Sequence, residues 1–103
     1  MSLRSPIPKE IREVLNDDPV MLFCIFDNST CKGRTEWHHW SYAGKRVNEL
    51  WSIVPLCEKH HRLESAYRTQ INAFVRRRII HFKAKKQFLK DYPRSDLFAH
   101  HIT

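Results

Sequence analysis

The sequence has few glycines, an odd number of cysteines and no long apolar run. With 2 Gly among 103 residues, the chain is neither collagen-like nor of low complexity. Three Cys do not complete a disulfide framework, and no apolar run approaches the ~20 residues that span a bilayer. Because 42% of the residues are hydrophobic and 12% aromatic, disorder is excluded as the main state. These features predict one folded domain over residues 1–103, with no membrane partner.

The N-terminal residues 1–6 lack the continuous apolar stretch of a signal peptide. We therefore expect a cytoplasmic location. A chain of this length is close to the lower limit for a self-sufficient hydrophobic core, so a bound metal or a partner would help to stabilise it.

Acidic residues are the minority among the charged side chains. The chain has 18 Lys plus Arg against 11 Asp plus Glu, a net charge of +7. The excess is concentrated in residues 59–94, where only Glu64 and Asp91 oppose the basic residues. A basic segment of this kind either binds a polyanion or forms a solvated helix face, and its composition alone leaves both open.

Apolar spacing predicts a small α+β fold. Ile11, Val14 and Leu15 lie on one face of a short N-terminal helix at Lys9–Asn16. A dense apolar run of strand length precedes a group of turn residues, and two further short strands follow, with a loop before the last of them. The predicted strands cover 20–26, 35–40 and 52–56, and the predicted loop covers 41–48.

The C-terminal third is predicted to be one long basic helix, bent or straight, from Glu58 to Tyr92. Its apolar residues recur at spacings of three, four and seven. Arg78 falls on this apolar stripe. Either the helix breaks near 76–78, or the Arg78 side chain extends out to solvent.

Three cysteines and one histidine have the residue types of a zinc site. Six residues separate Cys24 from Cys31, and two separate Cys57 from His60. Thiolate and imidazole are the ligands that tetrahedral zinc prefers. The alternative for Cys24 is a small buried hydrophobic residue, because it lies in an apolar run. We predict a structural zinc site formed by these four residues.

A second group of chemically active residues contains Glu36, His38, His39 and His61. Adjacent residues on a strand point to opposite faces, so His38 and His39 are predicted to have different roles. Glu36 is predicted either to orient His38 or to be a plain surface acid.

Residues 24–62 together resemble the HNH nuclease motif, also called the ββα-metal fold. The resemblance covers 39 of the 103 residues. It rests on the block Glu36-Trp37-His38-His39 and on the junction Leu56-Cys57-Glu58-Lys59-His60-His61. It implies a small ββα-metal core with a zinc knuckle, followed by a basic helical extension over 63–94.

The resemblance implies a metal-dependent endonuclease that hydrolyses phosphodiester bonds in double-stranded DNA. His39 matches the general base, and His38 and His61 match the ligands of a catalytic divalent metal, which is Mg, Mn, Ni or Zn. His60 stands where the last zinc-binding Cys is usual. The motif also has an Asn that braces the loop. Asn48 is the only Asn available there, but it lies nine residues before Cys57, and Ser52 holds the commoner position.

A nuclease must hold a polyanion, so the basic segment is predicted to contact phosphates. The candidate contacts are Arg62, Arg68, Arg76, Arg77, Lys83 and Lys86. The alternative function is a catalytically silent zinc module that binds nucleic acid or protein. Such a module needs the Cys/His site but none of His38, His39 and His61. A phage or bacterial role in packaging, recombination or restriction stays open.

Overall fold

The centre of the fold is an antiparallel pair of strands, β1 (Thr35–His39) and β4 (Ile53–Cys57). The computed structural model describes residues 7–98, which form four α-helices and two small antiparallel sheets. The register pairs Thr35 with Cys57 and His39 with Ile53. All residues of β4 are buried and all those of β1 are half-buried. The predicted α+β class is confirmed, and β1 presents its histidines at the edge of the core.

A short hairpin links these two strands, where the sequence predicted only a loop. It consists of β2 (Ser41–Tyr42) and β3 (Lys45–Arg46), paired antiparallel. Its turn is made by Ala43 and Gly44, with φ of 52° and 80°. Positive φ at both central residues is the geometry that matches the twist of a two-residue hairpin.

The N-terminal helix α1 (Lys9–Asn16) lies where predicted, but the strand predicted at 20–26 is wrong. A 3₁₀ helix, Pro19–Leu22, occupies the start of that segment. The Asp18 carboxylate accepts a hydrogen bond of 3.0 Å from the Val20 N–H, and proline suits the first helical position because its φ is already fixed. The cap and the proline therefore favour a helical turn at this point over the strand that the dense apolar run indicates.

The prediction of a single long C-terminal helix is also wrong, because the helix is interrupted after Arg62 and again after His81. The elements are α2 (Glu58–Arg62), a second 3₁₀ helix (Glu64–Tyr67), α3 (Arg68–His81) and α4 (Lys85–Asp91). Lys83 ends α3 in the left-handed region with φ of 56°. None of the helices within residues 7–98 is both long enough and apolar enough to cross a membrane.

Arg78 lies in the core, so both alternatives predicted for it are wrong. Helix α3 continues unbroken through 76–78, and Arg78 is only 5% exposed. Its Nη2 donates a hydrogen bond of 2.7 Å to Asp18 Oδ2. Its guanidinium carbon lies 5.9 Å and 4.8 Å from the ring centroids of Phe74 and Phe82. A counter-charge and two aromatic faces therefore compensate this buried cation.

Replacing Asp18 with Asn is expected to destabilise the fold by about 3 kcal/mol, because Arg78 would remain buried without its counter-charge. Asn caps a helix as well as Asp does, so the loss reports on the ion pair. Burial acts to raise the pKa of Asp18, but the hydrogen bonds from Arg78 and from the Val20 N–H hold it below the ordinary 3.8. The stabilisation by the Asp18–Arg78 ion pair is therefore fully present above pH 3.8, and it is lost as the pH falls through the lowered pKa that Asp18 has in the folded state.

Urea unfolding of the wild type and of Asp18→Asn at pH 7 measures this difference. The matched control is the double variant Asp18→Asn/Arg78→Met, which leaves no unpaired charge and is expected to be more stable than Asp18→Asn alone. Equal stability of Asp18→Asn and wild type would contradict the prediction.

Candidate metal centres

Cys24, Cys31, Cys57 and His60 form one compact group. Each offers a ligand atom within 4.8 Å of the others, and the three cysteines are free. The His60 Nδ1 atom lies 3.5, 3.6 and 3.1 Å from the three Sγ atoms in chain order. A tetrahedral zinc ion with bonds of ~2.3 Å to sulfur and ~2.05 Å to nitrogen holds the S and N atoms about 3.6 Å apart, which is close to the distances measured here. The predicted grouping is confirmed, and its donors suit zinc.

The junction between β4 and α2 prepares Cys57 as a ligand. The side chain caps α2, and its Sγ accepts N–H bonds of 3.4 Å from both His60 and Lys32. Burial acts to raise the pKa of Cys57, but these N–H groups and the His60 side chain lower it to about 6. The side chain is therefore a thiolate at neutral pH, which is the form that binds metals.

His60 is fixed so that one ring nitrogen faces the sulfurs. Its ring is buried between Phe26 and Tyr67, with centroid distances of 4.4 Å and 5.1 Å. The Thr30 hydroxyl donates to Asn28 Oδ1, so the Thr30 oxygen accepts from the His60 Nε2–H at 3.2 Å. This leaves the lone pair on Nδ1. His60, and not His61, therefore completes the cysteine group.

A second group contains His38 from β1, His61 from α2 and Glu64 from the second 3₁₀ helix. Each offers a ligand atom within 4.8 Å of the other two. The His38 Nδ1 atom is 2.8 Å from Glu64 Oε2, and the two imidazole centroids are 5.0 Å apart. Burial lowers the pKa of His38 to about 4, and the charges of His61, His39 and Arg46 act in the same direction. His38 is therefore neutral at pH 7, as a metal ligand must be.

Glu36 orients His61, so the prediction that it orients His38 is wrong. Its Oε1 atom lies 2.8 Å from the His61 Nδ1 atom. Glu36 and His38 lie on the same side of β1, because they are two residues apart on a strand. Helix α2 contributes His61 to that side, and the break after α2 brings Glu64 to His38. The carboxylate of Glu36 keeps hydrogen on Nδ1 and leaves the lone pair of His61 on Nε2.

His39 has a different partner, Asn48. The His39 Nε2 atom lies 2.8 Å from Asn48 Oδ1. An amide oxygen only accepts, so Nε2 carries the hydrogen and Nδ1 keeps the lone pair. Ser52 is buried and donates to the Val47 carbonyl at 2.6 Å, which closes the loop. Of the two positions left open by the sequence, Asn48 is the one that contacts the histidine.

The adjacent histidines thus have different partners, as predicted, but both line one small cavity. Its volume is about 110 Å³. Glu64 and Arg68 also line it, together with Asn72. Burial, and less strongly Arg46, lower the pKa of His39 below 6.5, although the Asn48 bond acts in the opposite direction. A neutral imidazole with a free lone pair therefore lies beside a cluster of possible metal ligands.

The six predicted phosphate contacts divide between several surfaces. Arg62 lies beside His61 around a surface cavity, and Arg68 lines the histidine cavity. Arg76 donates to the Leu97 carbonyl at 3.1 Å, and Arg77 lines a separate cavity next to Arg78. The other two, Lys83 and Lys86, are exposed. The structure brings only Arg62 and Arg68 to the histidine cluster.

The sequence reasoning missed Glu64. Residues three apart on a helix share a face, so its position three after His61 was a usable signal. Glu64 is also one of only two acidic residues in the basic segment. The contact with His38, however, depends on the break after α2, which the apolar spacing does not indicate.

Comparisons of the chain with protein-family models, with curated proteins and with solved structures found no match. Function is therefore inferred from the two clusters themselves and from the local resemblance of residues 24–62.

Proposed function

We propose that the chain is a metal-dependent endonuclease of the HNH type that hydrolyses phosphodiester bonds in DNA. One observation carries this proposal. A neutral His39, fixed by Asn48, lines the same cavity as His38 and Glu64 of the second cluster. A zinc module without catalytic function needs neither His39 nor that cluster, because Cys24, Cys31, Cys57 and His60 already make four ligands.

His39 is the general base of the proposed reaction. Its Nδ1 lone pair accepts the proton of the attacking water while Asn48 holds the ring through Nε2. The lowered pKa keeps His39 in the neutral form that this task requires at neutral pH.

His38, His61 and Glu64 are the residues that would hold a catalytic divalent metal. Two imidazoles and one carboxylate suit Mn, Ni or Zn better in affinity than Mg. When bound, the metal would supply relief of the negative charge on the leaving oxygen. The chain prepares these ligands in two ways: His38 is neutral, and Glu36 fixes the tautomer of His61.

DNA binding is proposed to start from two of the arginines near the histidines, Arg62 beside His61 and Arg68 in the histidine cavity. Guanidinium groups bind phosphate oxygens in a bidentate manner. The remaining basic residues of α3 and α4 add a sequence-independent attraction to the DNA, which salt weakens.

The proposal is tested on supercoiled plasmid with the purified protein and Mg, Mn, Ni or Zn added separately. We expect nicking that requires a divalent metal and that stops with EDTA. His81→Ala is a matched control, because His81 is an exposed histidine outside both clusters. Intact plasmid under all four metals would contradict the proposal and favour the silent zinc module.

Replacing His61 with Ala is expected to raise the metal concentration for half-maximal cleavage at least about tenfold, because a proposed ligand is lost. Glu36→Gln is expected to raise it by about 10-fold through loss of the bond that orients His61. A titration of cleavage rate against metal concentration measures both shifts. The zinc content should remain at about one per chain, since His60 and not His61 belongs to the cysteine group. Loss of that zinc in His61→Ala would contradict the assignment.

A further inference from the structure

A second cavity adjoins the histidine cavity. Its volume is about 650 Å³, within the range of pockets that take small ligands. Four lining residues are common to the two cavities: Trp40, Ser41, Arg68 and Asn72. The β2–β3 hairpin and the segment after α4 form the outer wall. A group bound here would lie next to the bond that the proposed nuclease breaks.

The polar lining of this cavity carries both signs of charge and an amide. Arg68 lies at the junction with the histidine cavity, Asn72 one turn further along α3, and Arg94 and Asp96 on the outer wall. Within residues 7–98, no ion pair or side-chain hydrogen bond engages these four side chains. Guanidinium groups match phosphates, and amide and carboxylate groups match the edges of bases. The set is therefore complementary to a nucleotide rather than to a bare anion.

The cavity also has rigid aromatic walls. Trp40 is 8% exposed, and Tyr42 packs edge-on against Tyr92 with centroids 4.9 Å apart. The Tyr42 hydroxyl accepts a hydrogen bond of 3.1 Å from the Arg94 N–H, which links the hairpin to the outer wall. Trp40 is part of the core, so the half-buried Tyr42 ring is the aromatic surface of this wall that is available to a base, and such rings are platforms on which single bases stack.

From this arrangement we propose that the cavity receives one unpaired nucleotide next to the scissile phosphate. A base inside a continuous duplex is stacked on its neighbours, and it enters a concave cavity only after leaving that stack. An unpaired nucleotide has little stacking to lose. The preferred substrate is therefore a DNA duplex that carries an unpaired nucleotide. This inference rests on the proposed nuclease function for the position of the scissile bond.

The test compares binding of two labelled duplexes of the same sequence, one of which has a single extra unpaired nucleotide. Zinc-loaded His39→Ala protein keeps the DNA intact, and fluorescence anisotropy gives the two dissociation constants. We expect about tenfold tighter binding of the duplex with the unpaired nucleotide, the size typical of one stacked or hydrogen-bonded base. Asn72→Ala in this background is expected to remove most of the preference. Gln70→Ala, exposed on the same helix and outside both cavities, is expected to keep it.

Equal affinity for the two duplexes would overturn the inference, whether or not the wild type cleaves plasmid. A preference that Asn72→Ala retains, or that Gln70→Ala loses equally, would also overturn it, because the cavity would not be its source. In a further outcome, the wild type cleaves no plasmid while the binding preference is present and depends on Asn72. That outcome would support the nucleotide site and contradict the nuclease proposal. The two failures are therefore distinguishable.

Discussion

Replacing His39 with Ala is expected to slow DNA cleavage by at least about 10²–10⁴-fold, the contribution typical of a general base. His39 is held at Nε2 by Asn48, and its Nδ1 lone pair is not used by that bond. Alanine removes the proton acceptor but neither of the arginines at the cluster nor any cysteine ligand. DNA affinity and zinc content should therefore stay at wild-type values.

The pH profile of the wild type gives a second readout of the same residue. Burial, opposed in part by the Asn48 bond, lowers the pKa of His39 below 6.5. The base is active when neutral, so the cleavage rate should fall as the pH drops through a value below 6.5 and should level off above it. Single-turnover nicking measured across pH gives this midpoint.

The controls separate a catalytic role from a structural one. His81→Ala should nick plasmid at the wild-type rate, and Asn48→Ala should lose less activity than His39→Ala because the imidazole remains. Nicking by His39→Ala at the wild-type rate would show that His39 is not the general base and that the proposed mechanism is wrong.

Local signals in the sequence predicted much of the fold that surrounds these residues. The helix at Lys9–Asn16 follows from apolar spacing over a short window, and the strands predicted at 35–40 and 52–56 lie within one residue of the observed Thr35–His39 and Ile53–Cys57. Cys57 and His60 come together because Cys57 ends a strand and caps the helix that contains His60. Contacts of this kind depend on neighbours within a few residues, so periodicity and spacing suffice to find them.

The errors arose where a distant partner decides the structure. Arg78 is buried because Asp18, sixty residues away, supplies its counter-charge. Glu36 binds His61 across twenty-five positions, and Glu64 reaches His38 only because the chain breaks after α2. Apolar periodicity carries no information on such pairs, since each depends on how the elements pack.

Replacing Cys57 with Ser is expected to remove the structural zinc and to unfold the protein. Zinc binding to sites of this type contributes about 10–16 kcal/mol in zinc-finger peptides. The net stability of a small domain is only about 5–15 kcal/mol. The cysteine group also joins three separate segments: Cys24, two residues after the first 3₁₀ helix, the turn at Cys31, and the β4–α2 junction. Backbone hydrogen bonds also join them, from Ile25 N–H to the Pro55 carbonyl at 3.0 Å and from Lys59 N–H to the Lys32 carbonyl at 3.2 Å.

Elemental analysis and circular dichroism of protein purified without added metal measure this outcome. The wild type should contain about one zinc per chain, should unfold with a strong chelator and should refold when zinc is returned. Thr30→Val is the matched control, because it removes the acceptor of the His60 Nε2–H and leaves all four ligands. It should stay folded with zinc affinity reduced about 10–100-fold. A metal-free Cys57→Ser protein that melts like the wild type would contradict the site. If Cys57→Ser unfolds as expected, His61, which lies four residues after Cys57, is no longer held beside His38, and DNA cleavage is lost with the fold.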